Sequence, residues 1–504
     1  MKKYFIALAV AALSLGLMGC TGDDNNANDV TPPAVVEETP PPAPPAQATE
    51  PTEDEEDDRD WPTVDQTPYP IGASVRIHEP VDLGGAVIRV GAFWGYGLPY
   101  AAYDGEEPDP ATADNYFIER LVWDNAMRVR SEFNIDMQAI DVDQAYAMAT
   151  LTSSVMAGDA FADLVFLGGG GQLSAIVGDL IHPLSTIDLP GSDILGPQVY
   201  GRMVNEPFDG EWWAFLYRGI DQHARLMGVN LDVINALGLP NPVDLYNSGQ
   251  WTWDNALHIM REATRDTTGD GLVDQWGIAG QPADIFNAFI AANDGPLVDA
   301  ELNYAFDHPN TVEALEFLET IFTEGLWETD PNQPPDGGDW GRNFFAFHDG
   351  NSALFSAVLW GMNGGDLPFE FAVVPFPTGP SNTAGYTWGS GWGGGFVIPH
   401  SGSIEPRDLI MVADEFFSWP GDEPDLMDEG NLETSRQVWL TEDDLWRQVA
   451  AAETVRMDVG NTVPEFYWIL GYFADHFIHQ TMTVQQAIEA YRAPQQELLN
   501  SFFR

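Results

Sequence analysis

The stretch Asp266-Thr267-Thr268-Gly269-Asp270-Gly271-Leu272-Val273-Asp274 has the spacing of a cation loop. Side-chain oxygens recur at every second position, on Asp266, Thr268, Asp270 and Asp274. Leu272 supplies a main-chain carbonyl, and Gly271 stands at the sixth place, where such a loop turns sharply. The twelfth place is Gly277, not the glutamate that would grip an ion with both oxygens. Two readings stand: a structural calcium, or a tight acidic turn without an ion. His476 and His479 lie three apart on an expected helix. No further ligand set accompanies them, which favours core or surface histidines over zinc. The motifs of activated nucleophiles and metalloproteases, GxSxG and HExxH, are absent, as is a Cys–His arrangement. Paired carboxylates are plentiful, but 78 acidic residues make chance pairs inevitable.

The elements that would carry a site alternate along the chain. Ala86 to Ala92 reads as a buried strand, Tyr116 to Phe133 as a helix with alternating charges, and Ile135 to Ile140 as a strand. Asp163 to Leu167 reads as a third strand and ends in Gly168-Gly169-Gly170-Gly171. Further helices are expected over Thr311 to Phe322, Pro406 to Trp419 and Val484 to Phe502, with strands at Phe371 to Val374 and Gly395 to Ile398. Strands alternating with helices imply an α/β fold with a mostly parallel sheet. The four glycines follow a strand, where such sheets bind ligands. No GKS or GKT follows them, so they are not a P-loop.

The ends and the composition bound the setting. Lys2 and Lys3 precede an apolar run from Tyr4 to Met18, short for a membrane span and right for a signal peptide. The run closes on Leu17-Met18-Gly19-Cys20, which resembles a bacterial lipobox, and Cys20 is the single cysteine of 504 residues. Lipidation of Cys20 would leave no thiol for a disulfide. Thr21 to about Thr67 is rich in Pro, Asp, Glu, Thr and Ala and lacks the apolar content to fold. We therefore read 1–19 as a lipoprotein signal peptide, 20–70 as an acidic, proline-rich disordered linker and 71–504 as the body. The formal charge is −58, and no lysine follows Lys3. Such a field disfavours nucleic acid and anionic lipid as partners. It fits an external medium of high salt or high pH. A base-composition bias would explain the missing lysines but not the excess acid.

Five stretches together resemble the family 1 extracellular solute-binding proteins, which include maltose-binding and other sugar-binding lipoproteins. They are Met156 to Phe166 (MAGDAFADLVF), Phe208 to Phe215 with Gly228-Val229-Asn230, and Leu237 to Pro242 with Trp251-Thr252-Trp253-Asp254. The remaining two are Gly350 to Leu354 leading to Trp360 and Val373 to Pro377, and Gly391 to His400. Each is weak alone, but their order and spacing span roughly residues 85 to 504.

The resemblance implies a two-lobed periplasmic-binding-protein-like fold of type II with a hinge. One lobe would take about 75–220 and 378–425, the other about 224–373 and 440–504. The crossings would fall near Gly219 to Ala224 and Pro375 to Thr378. It implies capture of a carbohydrate, in particular an oligosaccharide, for import by ABC permease subunits. The chain would be a monomer that needs no cofactor beyond the possible calcium, and it would not be an enzyme. The rival readings are an exported polysaccharide-acting enzyme and a surface sensor or adhesion protein on the same fold.

A sugar needs flat aromatics for its C–H faces and a few fixed polar groups for its hydroxyls. Trp360 and Tyr467, the latter beside Trp468, fall where maltose-binding relatives carry stacking residues. Gln222 and His223 lie on the first crossing, and Asp284, Phe286 and Asn287 begin a helix that faces the cleft in relatives; capping and packing explain those three equally well. Trp388 and Trp392 flank glycines, Trp94 and Tyr96 follow the first strand, and Gly169 and Gly170 offer backbone groups. Relatives carry polar side chains at that glycine loop, so maltose itself fits poorly. The anchor has a direct test. Cys20→Ala moves the protein from the membrane fraction into the medium or periplasm; unchanged membrane retention rejects the lipobox.

Overall fold

A computed structural model describes residues 77–93, 116–192, 194–195, 211–215, 225–328, 347, 349–357, 367–386, 388–389, 394–417, 444, 447, 455–456, 458–463 and 466–504. The chain divides into two units, Met1–Ile71 and Gly72–Arg504. All described residues belong to the second.

Along the second unit run β1 (Ala86–Ala92), α1 (Tyr116–Phe133), β2 (Ile135–Asp141), α2 (Ala147–Met156), β3 (Leu164–Gly168), α3 (Gly169–Val177) and β4 (Ala214–Phe215). Then come β5 (Leu226–Asn230), α4 (Leu231–Leu237), α5 (Pro242–Asn247), α6 (Trp253–Ala263), β6 (Trp276–Ala279), α7 (Pro282–Ala291) and α8 (Pro309–Thr323). The remainder holds β7 (Ser352–Ala357), β8 (Phe371–Val374), β9 (Trp388–Gly389), β10 (Gly394–Val397), α9 (Pro406–Phe417), β11 (Val455–Arg456), α10 (Phe466–Ile478) and α11 (Val484–Phe503).

The strands form two principal sheets. The first has the order β2-β1-β3-β10-β4 and the second β6-β7-β5-β8, with β9 and β11 pairing separately. In the first sheet β1 pairs in parallel with β2 and β3, while β10 runs antiparallel to β3 and β4. In the second, β6 and β7 are parallel and β5 is antiparallel to both β7 and β8. Both sheets are therefore mixed rather than mostly parallel. The reason is chain direction: β10 re-enters the first sheet from the far side of the sequence, after the second sheet is built.

Each sheet has its own core, and the burial pattern explains the elements. β2 buries Ile135 and Met137 and exposes Asp136 and Gln138, the period-two alternation of a half-buried strand. α6 buries Trp253, Ala256, Ile259, Met260 and Ala263, one helical face. The first core centres on Phe166, whose ring meets Phe93 at 5.4 Å and Phe396 at 5.3 Å, both edge-on. The second gathers Trp251, Phe286, Phe289, Phe306, Phe376 and Phe473. Asp163, wholly buried, accepts the Arg89 backbone N–H at 2.8 Å and its guanidinium at 3.1 and 3.2 Å, so neither charge is left uncompensated.

Two expectations are corrected. The glycines after β3 do not form a loop: Gly168 caps α3, and Gly169, Gly170 and Gly171 are its first turn. Leu173 and Ala175, wholly buried, anchor the helix, and the glycines follow its backbone. The boundary expected at 378 also moves. Thr378 bridges Thr252, the Ser381 N–H donates to Asn293 at 2.9 Å, and the Tyr386 hydroxyl accepts from the Trp251 N–H at 3.1 Å. Residues 378–386 thus pack on the second core. The chain rejoins the first sheet only at β10.

Candidate functional site at the strand ends

In the second sheet, Arg225 at the start of β5, Gly280 after β6 and Ser356 near the end of β7 share one end. Met227 is paired with Ser356 and Ala279 with Phe355. Gly280 has φ of 129°, and a Cβ there would lie 2.8 Å from the Ser356 Cβ, so only glycine lets the chain turn here into α7. The first turns of α7 then bring Asp284 and Asn287 to this end of the sheet. Asp284 Oδ1 lies 2.7 Å from Arg225 Nη2, with both side chains almost wholly buried. Glu328 is buried beside them, its N–H donating to Ile278 at 2.9 Å.

Not every polar group here is satisfied. The Asn287 side-chain oxygen accepts from Asn461 Nδ2 at 3.2 Å, but among the described residues Asn287 Nδ2 has no hydrogen-bond partner, nor does Ser356 Oγ. Asn287 is 3% exposed. A buried amide donor left open costs about 1–3 kcal/mol against a satisfied one, so such a group asks for an explanation.

Asn461 belongs to a short turn, Val459–Thr462. Asp458 holds that turn by accepting the Gly460 N–H at 2.7 Å and the Leu297 N–H at 2.9 Å. Burial pushes the Asp458 carboxyl up to about 6, with those amides pulling the other way. Its neutral form contributes stability fully below the unfolded value of 3.8, and that contribution is lost as pH rises through about 6. The same turn touches α3, whose Leu173 is wholly buried in the second core. The glycine turn of the first sheet and the Asn287–Asn461 pair of the second are therefore brought together through 459–462. Gly169 is buried and Gly170 half-buried, with the backbone N–H groups of a helix N-terminus. Gln172, beside them, donates to Leu167 O at 2.8 Å, and its own Oε1 has no partner.

The other expected residues divide. Phe286 is wholly buried in the second core, with Phe322 at 5.3 Å and Phe477 at 5.8 Å. Asp284 lies at the site but is committed to Arg225. Trp468 on α10 is 43% exposed, open to contact. The backbone of Trp388 lies in β9 and that of Tyr467 in α10; their side chains are outside the described residues. So are Trp94, Tyr96, Gln222, His223, Trp360, Trp392 and Cys20. Arg225, Ser356 and Asn461 were missed. No local pattern marks them, since each owes its place to pairing with distant chain.

In the 266–274 loop, Asp266 accepts from the Gly269 and Gly271 N–H groups at 2.6 and 2.7 Å. Asp274 accepts from the Thr267 N–H at 2.7 Å, and Asp270 from that of Leu272 at 2.9 Å. These bonds hold the Asp266 and Asp274 carboxyls below their ordinary range. Among the described residues no three acidic, histidine or cysteine side chains converge in a group that could hold a metal. His476 is engaged by the hydroxyls of Thr481 at 2.8 Å and Tyr491 at 3.0 Å, a structural role.

Residues 132–423 match the model of the bacterial extracellular solute-binding protein family. The chain belongs to this family. The family is one of binders working outside the cytoplasm, and its two-lobed α/β fold is the one seen here. Solved structures resemble it throughout the body. The cyclic α-maltosyl-1,6-maltose-binding protein of Arthrobacter globiformis is 17% identical, covers 82% of this chain and 99% of its own, and has a TM-score of 0.58. UgpB of Mycobacterium tuberculosis in complex with glycerophosphocholine is 15% identical, with 83% and 99% coverage and a TM-score of 0.56. The ABC substrate-binding protein Lmo0181 of Listeria monocytogenes, with cycloalternan, is 14% identical, with 82% and 99% coverage and a TM-score of 0.55. No curated protein sequence matches the chain.

Proposed function

We propose that this solute-binding protein captures a saccharide between its two sheets and delivers it to ABC permease subunits, tethered outside the cytoplasm by lipid on Cys20. The observation that carries the reading is the open hydrogen-bonding capacity of Asn287 and Ser356, at the strand ends and beside the glycine turn. A saccharide hydroxyl both donates and accepts, so it can satisfy an amide N–H and a serine hydroxyl in turn. Trp468 and the aromatics expected from the sequence supply apolar faces. One structural neighbour described above is in complex with cycloalternan and another is named for binding cyclic α-maltosyl-1,6-maltose, which supports the same class. A neutral solute also approaches a chain of charge −58 without electrostatic cost.

Calorimetry against a panel from monosaccharides to oligosaccharides tests the reading, with glycerophosphocholine as a charged control. At least one glycan gives heat, and Asn287→Ala weakens its binding by about 1–3 kcal/mol, the cost of one buried hydrogen-bonding group, while a cooperative melt of the ligand-free variant, which also loses the Asn461 bond, shows that it still folds. Silence across the glycans, with heat from glycerophosphocholine, rejects a saccharide.

We propose also that the 266–274 loop takes calcium, with Asp266, Thr268, Asp270, the Leu272 carbonyl and Asp274 as ligands. The carboxyls of Asp266 and Asp274 stay charged to low pH, and Gly269 and Gly271, at φ of 80° and 90°, give the tight turn a cation loop needs. Chelator then lowers the melting temperature and Asp270→Ala abolishes the difference; a melting curve indifferent to calcium removes the ion.

A further inference from the structure

Two histidines that the solute site does not use meet at the opposite end of the first sheet. Gly394 is paired with Gly168, so His400, beyond the other end of β10, lies away from the glycine turn. Ile181 bridges Pro399 in antiparallel fashion. The His182 N–H donates to Ile398 O and the His400 N–H to Leu180 O, each at 2.8 Å. These bonds fix the backbone on both sides. His182 stands opposite Ile398, and His400 two residues further along, so both rings share one face.

Nε2 of His182 and Nδ1 of His400 are 3.2 Å apart, with ring centroids at 4.1 Å and planes inclined by 72°. Without a metal, one ring donates this bond to the other. Two ligand nitrogens on a tetrahedral zinc, each at about 2.0–2.1 Å from the ion, lie roughly 3.3 Å apart. The pair is thus already at chelating separation. The second nitrogen of His400 lies 3.7 Å from the carboxylate of Asp179. That separation is too long for a hydrogen bond, so it is the bond to His182 that orients the His400 ring.

We propose that His182 and His400 form a two-histidine site for a borderline divalent transition-metal ion, zinc or nickel, with water filling the remaining positions. It stiffens the first lobe by tying the 180–182 segment to the chain that follows β10. It is remote from the solute site and independent of what that site binds.

The test uses the full chain carrying Cys20→Ala, so that no thiol competes, purified without a histidine tag and stripped of metal. Zinc and nickel are titrated separately by calorimetry at pH 7.5. One ion binds per chain and raises the melting temperature. His182→Gln and His400→Gln, which can still hydrogen-bond across the bridge, each weaken binding by about a hundredfold or more, beyond the loss of an outer-shell partner. His479→Gln changes nothing. The melting temperatures of the metal-free variants show that the fold is intact, and His182→Asn replaces His182→Gln if it is not. Absence of one-to-one binding, or binding that survives both substitutions, overturns the site.

Discussion

The first sheet is completed by a strand that must fit where there is no room for a side chain. β10 enters antiparallel between β3 and β4. A Cβ at Gly394 would lie 2.5 Å from the Phe166 ring, and one at Gly395 2.9 Å from the Phe215 carbonyl oxygen. An added methyl in so tight a place costs about 1–3 kcal/mol. The glycines are thus a condition of closure rather than a convenience of sequence. Because β10 comes after the second sheet in the chain, closing the first sheet obliges the polypeptide to cross between sheets more than once. The proposed solute site is a consequence of those crossings. It collects strand ends from both sheets around one turn, 459–462, which touches α3 and donates to Asn287.

The proposed site sets buried charged groups, Arg225, Asp284 and Glu328, beside the neutral Asn287 and Ser356. Arg225 and Asp284 compensate each other there, and a carboxylate with its guanidinium in place gives a solute little to attract. Neutral groups stand open there among the described residues: an amide N–H on Asn287, a hydroxyl on Ser356 and an amide oxygen on Gln172. A neutral ligand rich in hydroxyls can meet all three kinds. It stabilises the assembled arrangement only so far as it touches both sheets at once.

How far the sequence carries this account depends on the range of each interaction. The bounds of α1, Tyr116–Phe133, follow from local charge and apolar spacing. β8, Phe371–Val374, is a short apolar run that can be little else. The family follows from five ordered stretches. The glycine run after β3 misleads, because glycine disfavours a helix by about 1 kcal/mol per residue against alanine, yet packing of the following Leu173 and Ala175 decides the conformation. Mixed strand direction and the late crossing after Tyr386 are set by pairing between segments far apart in sequence. The same is true of Arg225 with Asp284 and of Asn461 with Asn287. Phe286 shows the opposite limit: its position on α7 was right, but one helix presents both a site face and a core face, and the residue lies on the second.

The central claim is that one solute bridges the two sheets at 169–172 and 459–462. Hydrogen exchange of the backbone amides, with and without the glycan that binds most tightly, measures this directly. Both segments should slow together on addition of the glycan, while the 180–182 and 398–400 segments, at the far end of the first sheet, keep their rates. Protection confined to one sheet, or exchange at 169–172 and 459–462 that ignores a saturating glycan, would contradict it.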